Sequence, residues 1–118
     1  GMVVWQIDDD PVHTELVEMI IRRTGFSNDT RSFHSARAAL KALDQSLPDL
    51  ILLDLRMPDM DGWEFIELTR SRKMPPIVIV TSSIDAREKK RALEIPTVRG
   101  WIEKPVRVED IVDLAVDD

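Results

Sequence analysis

The amino-acid sequence predicts an α/β fold, a doubly wound parallel sheet with helices on both faces. Apolar runs and amphipathic stretches alternate from end to end. Two of the runs, Leu50–Leu53 and Ile77–Val80, are apolar throughout, and the links between elements are short. A continuous apolar run suits a strand buried on both faces, as in a parallel sheet. Five strand–helix units with short links imply right-handed crossovers.

Met2 to Ile7 reads as the first strand, followed by an acidic triplet and Pro11. From Val12 to Thr24, the residues Val12, Leu16, Val17, Met19, Ile20 and Ile21 recur at helical spacing, and Gly25 closes the helix. Asn28 to Phe33 is the second strand. Ser35 can cap the next helix, whose inner face carries Ala36, Ala39, Leu40 and Leu43. Pro48 and Asp49 introduce the third strand, Leu50–Leu53, and Trp63 to Arg70 is helical. Pro75 and Pro76 break the chain ahead of the fourth strand, Ile77–Val80. Asp85 to Glu94 is a polar helix ended by Pro96. Val98 to Glu103 forms the last strand and Val106 to Val116 the last helix.

The chain has 118 residues, enough for one domain with a real core. Hydrophobic residues make up 43% and charged residues 32%, ordinary proportions for a soluble globular protein. There is no cysteine, which excludes disulfides and thiolate metal sites. No apolar run approaches the ~20 residues of a membrane span, and the N-terminus lacks the basic flank of a signal peptide. A cytoplasmic location is the expectation. The formal net charge of -6 argues against a nucleic-acid surface. The basic cluster Arg87 to Arg91 reads as a solvated helix face.

In open α/β sheets, ligands sit beyond the carboxyl ends of the strands. Asp8, Asp9 and Asp10 follow the first strand, Asp54 ends the third, Thr81 and Ser82 the fourth, and Lys104 the fifth. Carboxylates crowded on one rim raise each other's pKa unless a cation resides among them. Oxygen ligands without histidine or thiolate suit a hard ion such as Mg²⁺. A central carboxylate can then attack phosphorus, while the metal and an ammonium group neutralise the phosphoryl oxygens.

The segments Ile7-Asp8-Asp9-Asp10-Pro11, Leu53-Asp54-Leu55-Arg56-Met57-Pro58-Asp59-Met60-Asp61-Gly62, Val80-Thr81-Ser82 and Glu103-Lys104-Pro105 occur in order, each at a strand end. In these the chain resembles the response-regulator receiver family, CheY-like in fold, over essentially its whole length. The resemblance implies a flavodoxin-like sheet of order 2-1-3-4-5 with five helices. It implies that Asp54 is the phospho-acceptor and that Asp8, Asp9 and Asp54 hold Mg²⁺, with Asp9 favoured over Asp8 as the direct ligand. The backbone carbonyl of Arg56 would complete the metal set. Thr81 matches the switch hydroxyl and Lys104 the ammonium on the phosphoryl group. Trp101 falls where the family places an aromatic that turns inward on activation. The Lys104–Pro105 bond would be cis, against ~5% of X-Pro bonds in general. The implied partners are a sensor histidine kinase or phosphotransfer protein and a downstream protein of unknown identity. The expected state is a monomer or weak dimer, away from nucleic acid and membrane.

Plainer roles compete at each position. Asp10 before Pro11 is a helix cap, whereas Asp8 and Asp9 lie too far back to cap. Asp59 and Asp61 serve the turn and the next helix start, with Gly62 supplying backbone freedom. Thr81 and Ser82 could cap the fourth helix, and Trp101 could be core. His13 and His34 read as ordinary surface or helix residues, and Trp5 and Trp63 as packing.

Three departures from the family pattern stand out. Gln6 needs a hydrogen-bond partner in an otherwise apolar strand. Arg56 places a cation beside the acceptor, where it could shield the phosphoryl group or pair with an acid. Ile95-Pro96-Thr97 replaces a small turn before the last strand.

The expectation is a single receiver domain over residues 2–118, standing alone without an output domain. It is read as a phospho-acceptor that assists its own phosphorylation and dephosphorylation rather than as an enzyme. The alternative is a receiver-fold interaction module that is never phosphorylated. A haloacid-dehalogenase-type phosphatase would carry an acid two residues after the nucleophile, where this chain has Arg56. No Gly- or Ser/Thr-rich phosphate loop supports flavin binding.

Overall fold

The computed structural model describes residues 2–116; Asp117 and Asp118, the end of the expected domain, lie outside the described residues. Among the described residues ten elements alternate: β1 (Val3–Ile7), α1 (Pro11–Thr24), β2 (Asp29–Phe33), α2 (Ala36–Leu43), β3 (Leu50–Leu53), α3 (Gly62–Thr69), β4 (Ile77–Thr81), α4 (Ala86–Leu93), β5 (Val98–Glu103) and α5 (Val108–Val116). All strand pairs are parallel, in the order β2-β1-β3-β4-β5. The expected doubly wound, flavodoxin-like sheet is what the chain forms.

Successive residues of a strand face opposite sides, so each buried strand feeds two cores. Trp5, Ile7, Ile51, Leu53, Ile77 and Ile79 point to the side covered by α2, α3 and α4. Val4, Leu50, Leu52, Val78, Val80 and Ile102 point to the side covered by α1 and α5. β3 and β4 are buried at every position, as their unbroken apolar runs require.

The helix ends follow their sequence signals. Asp10 caps α1 by accepting from the backbone N–H groups of Val12 and His13, with Pro11 at the first helical position. Gly25 ends the helix at φ 74°, the left-handed conformation that glycine adopts without strain. Asp61 and Glu64 form a reciprocal capping box at the start of α3.

Two details differ from expectation. In α1, Val12 is 76% exposed and Met19 also faces outward, while His13, Thr14, Val17, Ile20 and Ile21 are buried. The inner stripe is therefore rotated by about one residue, and His13 belongs to it. α5 begins at Val108; Val106 precedes it as a buried loop anchor. The Ile95-Pro96-Thr97 segment closes tightly, with Val98 N donating to Ile95 O at 2.9 Å and Ile77 N to Thr97 O at 2.8 Å. Gln6 finds its partner, Nε2 donating to Thr14 O at 2.9 Å. The Lys104–Pro105 bond is cis.

Candidate functional site

Two backbone hydrogen bonds continue the sheet one step past the ends of β1 and β3. Asp8 N donates to Phe33 O at 3.0 Å and Asp54 N to Ile7 O at 2.9 Å. These bonds place both carboxylates at the rim with their backbones fixed. Lys104 N donates to Thr81 O at 2.8 Å, which fixes the lysine against the end of β4.

The side chains then converge. Ligand oxygens of Asp8, Asp9 and Asp54 lie within 4.8 Å of one another. Asp8 and Asp54 are buried while Asp9 is exposed, so the group is open on one side. Lys104 Nζ bridges the two buried acids, 2.9 Å from Asp8 Oδ2 and 3.1 Å from Asp54 Oδ2. Asp8 Oδ1 accepts from Asp10 N at 2.9 Å, and Asp54 Oδ1 accepts from Arg56 N at 3.2 Å.

These neighbours treat the two buried acids differently. Burial pushes Asp8 up, but contacts with His13, Lys104 and the Asp10 N–H outweigh it and lower Asp8 to about 2. Burial also pushes Asp54 up, the Asp8 charge adds to it, and the Arg56 N–H and Lys104 do not compensate, so Asp54 is raised. Burial alone would lower Lys104, yet the two carboxylates hold it above its ordinary value. Asp8 is held in its ionised form, while burial and the neighbouring Asp8 charge disfavour the ionised form of Asp54. Hard oxygen donors around an open position, with one ammonium unable to satisfy three acids, fit a divalent cation.

The response regulator receiver domain family matches the chain over residues 4–116. The chain belongs to that family.

Among solved structures, a two-component response regulator from Cytophaga hutchinsonii superposes with a TM-score of 0.90 at 27% identity, covering 98% of this chain and 94% of that one. The signal receiver domain of a signal transduction histidine kinase from Syntrophus aciditrophicus superposes with a TM-score of 0.77 at 28% identity, covering 99% and 86%. Among curated proteins, the DNA-binding response regulator MtrA of Mycolicibacterium smegmatis is 32% identical over 106 residues, covering 90% of this chain and 45% of MtrA. The receiver thus spans about half the length of that relative. It spans a smaller share, 17%, of the transcriptional regulator NtrC of Proteus hauseri, which is 37% identical over 83 residues.

Around the acids, this receiver is built in its own way. Thr81 is fully buried, and its Oγ1 accepts from Ser83 N at 3.2 Å. Asp85, rather than Thr81 or Ser82, caps α4. Arg56 pairs with an acid: its guanidinium sits on both oxygens of Glu88 in α4, at 2.8 and 2.9 Å. Glu88 also accepts from Trp63 Nε1 at 3.0 Å, and Arg91 stacks over the Trp63 ring at 3.9 Å. The basic residues of α4 are exposed, as expected of a solvated face, while Glu88 and Arg91 also tie the helix to Trp63 of α3, which does more than pack. Burial raises Glu88, but bonds from Ser83, Trp63 and Arg56 outweigh it and lower the group overall. Trp101 packs half-buried against the core beneath α2, α3 and α4, with its Nε1 buried and unpartnered.

Gly62 carries a correction. Its φ is not in the left-handed region; Asp59 takes that conformation instead, at φ 67°. Gly62 matters because a Cβ there would lie 2.5 Å from Asp54 O and 2.8 Å from Leu55 Cα. The start of α3 rests directly on the chain at the end of β3.

His13 carries another. It is not on the surface but 8% exposed, with Nδ1 3.4 Å from Asp8 Oδ2 and Nε2 accepting from Val106 N at 3.2 Å. Its spacing was the available signal: His13, Val17 and Ile21 recur four apart, and the run of apolar residues starting at Val12 hid that phase. Glu88 left no comparable signal, since an acid in a polar helix looks solvated until α3 is placed beside it.

Proposed function

We propose that this receiver accepts a phosphoryl group on Asp54 from a histidine kinase or phosphotransfer protein, and that the added charge changes a protein-interaction face. The observation carrying this reading is the convergence of Asp8, Asp9 and Asp54 on one open rim, with Lys104 bridging the two buried acids.

An Asp54 oxygen attacks phosphorus, and the bond between phosphorus and the donor breaks with its electron pair leaving on the donor. Lys104, held between the carboxylates, is within reach of the phosphoryl oxygens once they are seated on Asp54. Asp8, Asp9, Asp54 and the Arg56 carbonyl are the groups that would hold Mg²⁺. When bound, the ion supplies charge neutralisation between the acids and the incoming phosphoryl group.

The Thr81 hydroxyl is the group proposed to meet the acyl phosphate, and Trp101 the aromatic that follows it inward. A phosphoryl group adds about -1.5 to -2 charges at neutral pH, enough to rebalance the loop after β4 and the face formed by α4, β5 and α5.

The test is exposure to a small phosphodonor with Mg²⁺, read by intact mass. A gain of one phosphoryl group, absent in Asp54→Asn, is expected. No gain would replace this reading with that of an interaction module independent of phosphorylation.

A further inference from the structure

His13 sits at the back of the acidic rim, more than nine-tenths buried, and touches the two parts of the site that must act together. Its Nε2 accepts the N–H of Val106, two residues after Lys104. An imidazole accepting at Nε2 carries its proton on Nδ1. That Nδ1 lies 3.4 Å from Asp8 Oδ2, a long ionic contact that falls short of a well-formed hydrogen bond. On the other side of the carboxylate, Lys104 Nζ sits 2.9 Å from the same oxygen. Asp8 Oδ1 is separately held by Asp10 N.

We infer that His13 is a positioning residue that takes over Asp8 Oδ2 when Lys104 is drawn onto the phosphoryl group. This rests on the proposed phosphorylation of Asp54 and on Lys104 serving that group. In the resting receiver Lys104 bridges both buried acids and is the nearer partner of Asp8 Oδ2. With a phosphoryl group on Asp54, Lys104 turns to its oxygens and Asp8 Oδ2 loses the nearer of its two partners. The waiting Nδ1–H closes the short remaining distance and keeps the Asp8 carboxylate turned toward the cation position. Because the same ring holds Val106, the loop carrying Lys104 stays in place while the lysine head moves. Outer groups of this kind change metal affinity by about ten- to a hundredfold when removed, since they fix the orientation of the ligand.

The test uses two variants that divide the ring. His13→Asn places an amide donor near Nδ1 and gives up the Val106 contact. His13→Gln places an acceptor near Nε2 and gives up the donor to Asp8. Mg²⁺ affinity is measured by calorimetry on each chain, alone and with beryllofluoride standing in for the phosphoryl group. For His13→Gln, affinity is expected to fall about tenfold with beryllofluoride and to hold within about threefold without it. For His13→Asn, affinity is expected to be near the parent value in both conditions. Equal factors in the two conditions, or equal behaviour of the two variants, would overturn the inference. Should either variant fail to fold, the imidazole nitrogen resonances of the unmodified chain decide. Nδ1 is expected to shift on adding beryllofluoride and Mg²⁺ together, and an unmoved Nδ1 overturns the hand-over. A parent chain that neither binds beryllofluoride nor gains a phosphoryl group would instead bring down the phospho-acceptor reading.

Discussion

Asp54 and Asp8 are neighbours with opposite burdens, and single substitutions should expose the difference. Asp54 is raised by burial and by the Asp8 charge, so its ionised form opposes folding at neutral pH. Asp54→Asn is therefore expected to raise the melting temperature by a few degrees while abolishing the phosphoryl adduct, as checked by calorimetry and intact mass. Asp8, lowered to about 2 despite burial by its His13, Lys104 and Asp10 contacts, acts in the other sense. Its stabilisation is present above the ordinary carboxylate value near 4 and is lost as pH falls through about 2. Phosphorylation needs ionised Asp54, so without added metal its rate should decline on acidification before an ordinary carboxylate would protonate. A pH series of initial rates checks this, and Mg²⁺ should move the decline to lower pH. The sequence announced both aspartates through their strand-end positions. It could not show which one was strained, because that depends on which oxygen Lys104 and His13 reach.

At the scale of elements, α3 and α4 are joined to the end of β3 by contacts of two kinds. Gly62 lets α3 rest on β3, and a Cβ would meet backbone at 2.5 Å that cannot swing away. Gly62→Ala is expected to cost about 1–3 kcal/mol by overpacking and to slow phosphorylation by displacing Asp54, measured by denaturant unfolding and intact mass. The Arg56–Glu88–Trp63 cluster links the loop after β3 to α4 and α3. Arg56 is largely solvated, so Arg56→Ala should cost less than about 1 kcal/mol. Glu88→Ala leaves the Trp63 indole N–H without its acceptor and should cost more, about 1–3 kcal/mol, with a change in Trp63 fluorescence. Equal costs would show that the pair is only a surface contact. The element boundaries followed turn chemistry and apolar runs and were legible within a residue or two. The facing of α1 was not, because Val12 and Met19 are apolar residues that the fold leaves outside. Exposed apolar residues are common on folded proteins, and only the neighbouring sheet selects which stripe turns inward.

For the whole molecule, the rim belongs to no single segment. Asp8, Asp54 and Lys104 follow the ends of three strands, and the sheet order places β1 beside β3 and β5 beyond β4. A ligand that binds only where these meet should stabilise the folded chain by mass action. Mg²⁺ at 100 times its dissociation constant is expected to add about 2.7 kcal/mol, seen as a melting temperature that climbs with Mg²⁺ and falls back on chelation. Asp9→Asn should flatten that climb while leaving the melting temperature without metal nearly unchanged, because Asp9 is exposed. A full climb in Asp9→Asn would remove this residue from the metal set.

The sequence alone determined the fold class, the strand order through its family motifs, and the acids, hydroxyl and lysine at the strand ends. Periodicity and turn chemistry are local, and the motifs are contiguous, so both can be read along the chain. The tertiary structure decided the pairings: His13 behind Asp8, Glu88 beneath Arg56, Gly62 against Asp54. Each joins residues distant along the chain or turned by a helix phase, and such contacts exist only once the two cores have set where every element lies.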